Sequence, residues 1–172
     1  MKIKGHARKA AALAAVTLLG VLIWTMGISA HCQIPCGIYD DPTRFKLLDE
    51  HIATIEKSMR QIDQLSADAG RNANQLVRWV QNKDAHADEL SRIVTQYFLQ
   101  QRLQPVAPDD KAGWGAYVNK LVLCHRMLVA AMKAKQTTDL QYVRQLRDDL
   151  AKFRQAYLGA AEGKTAAPAH KH

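Results

Sequence analysis

The sequence predicts an all-α protein, an antiparallel four-helix bundle, and three observations carry that reading. Apolar residues recur at spacings of three and four along four separate segments. No segment alternates polar and apolar residues as a half-buried strand would. The breaks between segments are short, and helices of this length joined by short connections pack side by side around a shared apolar core.

The first helix opens at Asp41-Pro42, read as an acidic N-cap followed by proline at the first helical position. Its stripe is Phe45, Leu48, Ile52, Ile55, Met59 and Ile62, and "SADAGRN" ends it. The second is expected from about Asn74 to Leu103, with Leu76, Val80, Ala87, Leu90, Val94 and Tyr97 in its stripe. Lys83 also falls in that stripe, an unusual place for a charge. "QPVAPDDKAGWG" connects to a third helix carrying Tyr117, Leu121, Cys124, Leu128 and Ala131. The fourth begins with Thr138 and Gln141, the spacing of a capping box, and continues through Val143, Leu146, Leu150, Phe153 and Tyr157. The bundle is thus expected over residues 41–158. Residues 159–172, with the terminal "GKTAAPAHKH", are expected to be a disordered tail whose histidines are solvated.

Residues 1–30 read differently. Lys2, Lys4, Arg8 and Lys9 form a basic start, an apolar run follows, and Ile28-Ser29-Ala30 closes it with a small residue at the cut. That is the layout of a cleavable signal peptide, and it predicts an exported protein, periplasmic or extracellular, released by a leader-processing peptidase after Ala30. The apolar run is long enough to span a bilayer, so an uncleaved membrane anchor is the alternative. Cleavage takes away four of the 24 basic residues and none of the 16 acids, leaving a net charge of about +4. With no Lys/Arg block and no aromatic interleaving, a nucleic-acid partner is not expected.

The chemistry concentrates in residues 31–40, "HCQIPCGIYD". Two readings of Cys32 and Cys36 are open. In an exported chain they suit a small disulfide loop. They also suit a metal. If His31 becomes the N-terminus, it offers an amine and an imidazole nitrogen, and Cys32 adds an amide nitrogen and a thiolate. Cys36 returns a second thiolate if the chain turns at Pro35 and Gly37. Nitrogen and sulfur donors in a square plane favour nickel or copper(II) over zinc. Lipidation of Cys32 is disfavoured because His31 stands where a lipoprotein signal needs a small residue. His51, His86 and His125 lie far apart in sequence without a Glu-x-x-His pair, which argues against a di-iron site.

His31-Cys32-x-x-Pro35-Cys36-Gly37-x-Tyr39 resembles the nickel hook of the nickel-containing superoxide dismutases, found in that family at the N-terminus of a four-helix-bundle subunit after proteolysis of a leader. The resemblance implies a superoxide dismutase that disproportionates superoxide to oxygen and hydrogen peroxide by Ni(III)/Ni(II) cycling. It implies one nickel ion per subunit, held by His31, Cys32 and Cys36. Tyr39 would stand over the open face of the metal, and Tyr97 would be a second tyrosine near it. Superoxide would be the small-anion substrate, and a homohexamer the assembly. The chain departs from the family at Gln33, where an acid is usual, and in the glutamate and arginine that orient the imidazole. Leu47 and Leu48, followed by Asp49 and Glu50, occupy the glutamate region; Asn82 and Lys83 fall where the arginine would. The alternative to an enzyme is an exported or membrane-anchored helical protein that binds nickel or copper without turnover.

Overall fold

The computed structural model describes residues 37–162. The leader, His31, Cys32, Cys36 and residues 163–172 lie outside the described residues. From Ile38 onward the chain forms one compact unit of four helices: α1 (Asp41–Ser66), α2 (Ala69–Arg92), α3 (Trp114–Gln136) and α4 (Gln141–Glu162). α2 continues directly into a π-helical segment, Ile93–Arg102. Among the described residues there is no strand, and no helix is long and apolar enough to cross a membrane.

Polar contacts between helices give the antiparallel register. Along α1, Asp41, Asp49 and Glu56 meet Tyr157, Arg154 and Arg147 of α4 in descending order. Between α1 and α2, Ser58 accepts a hydrogen bond from Asn82 while His51 meets His86. Arg126 of α3 pairs with the buried Asp149 of α4 at 2.9 Å. The core runs between these contacts, with Leu48, Ile52, Ile55, Met59, Leu90, Val94, Met127, Leu146 and Leu150 all essentially inaccessible. Each such side chain contributes about 1.5–3 kcal/mol by leaving water.

Five expectations about helix ends and faces need correction. Asp40, not Asp41, caps α1: its carboxylate accepts from the Thr43 N–H at 3.0 Å and from the Thr43 hydroxyl at 2.8 Å. α2 begins at Ala69, not near Asn74, because Asp68 caps it by accepting from the Arg71 N–H. The fourth helix is capped by Asp139, which accepts from both the Gln141 N–H and its side-chain amide, so the Thr138–Gln141 box does not form. On α3 the buried face is Leu123, Cys124, Met127, Ala130, Ala131 and Ala134, so Leu123 and Met127 are fully buried while Leu121 and Leu128 pack at its edge. Val80, expected inside, is 40 % exposed.

Lys83 is buried at 3 % exposure. Its ammonium donates to the carbonyls of Ala134 and Lys135, two of the four acceptors a helix C-terminus leaves without an intrahelical partner. The stripe position is therefore a cap on α3, with Asp84 at 3.3 Å as an additional counter-charge.

Candidate functional site

The only part of the hook motif within the described residues is its end, Gly37 to Tyr39. Gly37 has φ +79°, in the left-handed region that a side chain makes costly, so glycine is required by the turn it makes. His31, Cys32 and Cys36 lie outside the described residues.

Tyr39 sits on a platform built from three elements. Its ring meets that of Tyr97 edge-on, centroids 5.9 Å apart, and the Arg102 guanidinium lies 4.3 Å from its ring centroid. Arg102 in turn grips Asp41 with two hydrogen bonds, Nε to Oδ1 at 2.9 Å and Nη2 to Oδ2 at 2.6 Å. The fork-on-carboxylate geometry is the strong form of this pair. The Tyr97 hydroxyl donates to Asp41 Oδ1 at 2.6 Å and the Tyr157 hydroxyl to Oδ2 at 2.9 Å. Arg44 covers Tyr97, 5.0 Å from its ring centroid. Tyr39 remains 38 % exposed, while Tyr97 is 3 % exposed.

The π segment explains why these groups converge. Tyr97 and Arg102 are five residues apart, roughly 140° around an α-helix. In a π-helix, with i→i+5 hydrogen bonding, residues five apart fall one turn apart on the same face. The Leu103 N–H donates to the Phe98 carbonyl at 2.8 Å in this wider pattern. Tyr97 and Arg102 therefore project together onto Asp41, which Asp40 has released by taking over the cap. Beneath them Phe45, Phe98, Phe153 and Tyr157 pack with centroids 5.0–5.8 Å apart, which fixes the tyrosines on a rigid floor. Asp41, Arg102 and Tyr157 also line a cleft of about 510 Å³ with Tyr117 and Lys120.

Electrostatically the network is a closed ion pair. Burial opposes ionisation of Asp41, but the hydrogen bonds from Arg102, Tyr97 and Tyr157 outweigh it and hold the carboxyl below its usual range. Burial, then the bond to Asp41, raises Tyr97 well above an ordinary phenol. The same two causes push Tyr157 up to about 12. Both hydroxyls keep their protons and spend them on Asp41.

The structure thus brings Tyr39 and Tyr97 into contact and adds Arg102 and Asp41, which sequence reasoning missed. The Asp40-Asp41 doublet was the available signal: one acid suffices as a cap, and the other needs a partner. Residues in the glutamate and arginine regions do not join this cluster. Leu48 is core, Asp49 pairs with Arg154, Glu50 lies exposed by Lys46, Asn82 bonds Ser58, and Lys83 caps α3. Cys124 is a buried core thiol, pushed up to about 12 by desolvation.

A search of the curated proteins and of the solved structures found no match. The family model for nickel-containing superoxide dismutase matches residues 26–160. That span takes in the whole hook motif and almost all of the bundle, so the chain belongs to the nickel-containing superoxide dismutase family.

Proposed function

We propose that His31, Cys32 and Cys36 are the nickel ligands of this superoxide dismutase, assembled once cleavage after Ala30 turns His31 into the N-terminus. The donor set suits the metal: an amine, a deprotonated amide and two thiolates donate strongly and favour a square plane. When bound, nickel supplies one-electron cycling between Ni(II) and Ni(III), a couple these donors bring into reach. The remaining work falls to the chain. Superoxide is a small anion, and backbone N–H groups near Gln33 and Cys36 are suited to hold it. Tyr39, three residues beyond Cys36, limits access with its hydroxyl and holds water or the anion.

The observation that carries this reading is the fixing of Tyr39 between Tyr97 and Arg102. A tyrosine that is 38 % exposed yet clamped from two sides ahead of the first helix is one whose position matters. Tyr97 then acts as a positioning residue, since its own hydroxyl is committed to Asp41. With the Tyr97 and Tyr157 hydroxyls both committed to Asp41, the proton for peroxide comes from elsewhere, from Tyr39, ordered water or a protonated thiolate. Export by a signal peptide, processing by a leader peptidase and assembly as a homohexamer complete the reading.

Native mass spectrometry of the protein from its own cells tests it. A subunit beginning at His31 and carrying one nickel is expected. Replacing Cys32 or Cys36 by serine should abolish nickel binding and turnover together, whereas Tyr39→Phe should keep the metal and change the kinetics. A chain that retains residues 1–30 and turns over superoxide as fast as the cleaved one would overturn the ligand assignment.

A further inference from the structure

His51 and His86 face each other across the seam between α1 and α2. Their Nδ1 atoms are 2.8 Å apart, and their rings stand 5.0 Å apart at 56°. Both are half-buried, and nothing in the superoxide chemistry above uses either. At this separation two neutral imidazoles share one proton, the Nδ1–H of one donating to the lone pair of the other.

The same separation suits a metal ion. Two nitrogens bound to one ion at about 2.0–2.1 Å stand about 2.9 Å apart when they subtend a right angle, and about 3.3 Å apart at the tetrahedral angle. The observed 2.8 Å matches the right angle, which relates adjacent ligands in tetragonal copper(II) or nickel(II) sites and not in tetrahedral zinc.

We propose that His51 and His86 form a second metal site, binding one copper(II) or nickel(II) ion between their Nδ1 atoms in place of the shared proton. That proton moves to the outer Nε2 through solvent, so both Nδ1 lone pairs face the ion and the pair stays neutral. Among the described residues no group of three His, Cys, Asp or Glu side chains is poised for a metal. Water therefore fills the remaining positions, and the half-buried seam lets the ion enter and leave. Burial and the neighbouring His86 hold His51 below an ordinary histidine, with Arg92 acting in the same direction and Glu89 and Glu50 opposing. Neutral imidazole is the form that binds metal. Glu89, one helical turn beyond His86 and tied to Arg92 at 2.6 Å, adds negative charge beside the seam. The ion links α1 to α2 in mid-bundle, so its binding stabilises the fold.

The test uses the full 172-residue chain with Cys32→Ser and Cys36→Ser, in which the hook thiolates are gone and His31 is internal. Copper(II) is titrated in, with electron paramagnetic resonance and thermal unfolding as readouts. One equivalent coordinated by two imidazole nitrogens is expected, with a rise in Tm. His51→Gln and His86→Gln should each weaken binding at least tenfold and remove the rise, while a chain lacking His170 and His172 keeps both. Undiminished copper affinity in the two glutamine variants would overturn the proposal. Where glutamine unfolds the chain, imidazole nitrogen NMR of the unsubstituted pair with substoichiometric copper(II) replaces it. Both Nδ1 resonances must broaden together through the paramagnetic ion; if they do not, the pair holds only a proton and the proposal fails.

Discussion

Replacing Arg102 by methionine removes the group that links Asp41 to Tyr39 while keeping length and apolar contact. The lost interaction is a two-pronged pair with Asp41 at 2.9 and 2.6 Å, its side chains 28 % and 17 % exposed. Breaking a fully buried pair costs about 3–5 kcal/mol, and an exposed one about 0–1 kcal/mol. Partial exposure, and the two tyrosine hydroxyls that stay with Asp41, bring the estimate to about 2 kcal/mol. Losing the cation over Tyr39 adds roughly 0.5–1 kcal/mol. For a bundle of this size each kcal/mol lowers Tm by about 3–4 °C, so a fall of about 8–10 °C is expected. Scanning calorimetry reads it, and a double-mutant cycle with Asp41→Asn should show a coupling above about 1 kcal/mol. Turnover should drop with nickel content unchanged, because Tyr39 loses its clamp. An Arg102→Met protein that melts within about 2 °C of the parent, or shows no coupling, would refute the clamp; the bound on Tm follows from the same scale.

Three further outcomes follow from other parts of the chain. Asp41 is held below an ordinary carboxyl, so its stabilising effect is present above about pH 4 and fades as pH falls through its lowered value. The Tm gap between the parent and Asp41→Asn should therefore be level above about pH 5 and close in more acid solution. Lys83→Met strands the Ala134 and Lys135 carbonyls and should cost about 1–3 kcal/mol in urea unfolding; an unchanged or higher midpoint would mean that desolvating the ammonium cancels the cap. Cys124, with its thiol pushed up to about 12, should resist thiol reagents at pH 8 in the Cys32→Ser/Cys36→Ser chain until denaturant is added. Rapid labelling without denaturant would show the core opening around it.

The bundle was legible because its apolar stripes keep one period over long segments. Phe45, Leu48, Ile52, Ile55 and Met59 fell inside as spaced. α3 was harder to read, since alanines and a methionine share its buried face and both sides carry leucine or valine. The hook could be read because its chemistry is local, nine residues long and tied to a cleavage pattern. The platform under Tyr39 could not. It joins residues as far apart as Asp41 and Tyr157, and it depends on a π segment that shifts Arg102 out of the phase any α-helical stripe assigns. Asp40 and Asp41 are chemically alike, and only the fold decides which one caps. His51 and His86 likewise meet only through the antiparallel register of α1 and α2.

The composition of that platform also limits what Asp41 does. An ionised carboxylate offers about four lone-pair sites, and here two are taken by Arg102, one by Tyr97 and one by Tyr157. Among the described residues these partners fill its acceptor capacity. We therefore expect that Asp41 does not stand in for the glutamate with which the family orients its histidine, and that it acts through Arg102 and the tyrosines, and so on Tyr39. The two roles separate experimentally. Asp41→Asn should lower thermal stability and alter turnover through Tyr39, while leaving the nitrogen splitting of oxidised, nickel-loaded protein in electron paramagnetic resonance unchanged. Loss of that splitting would mean that the carboxylate reaches the His31 ring after all, and the closed count of its hydrogen bonds would have to open in the metal-loaded state.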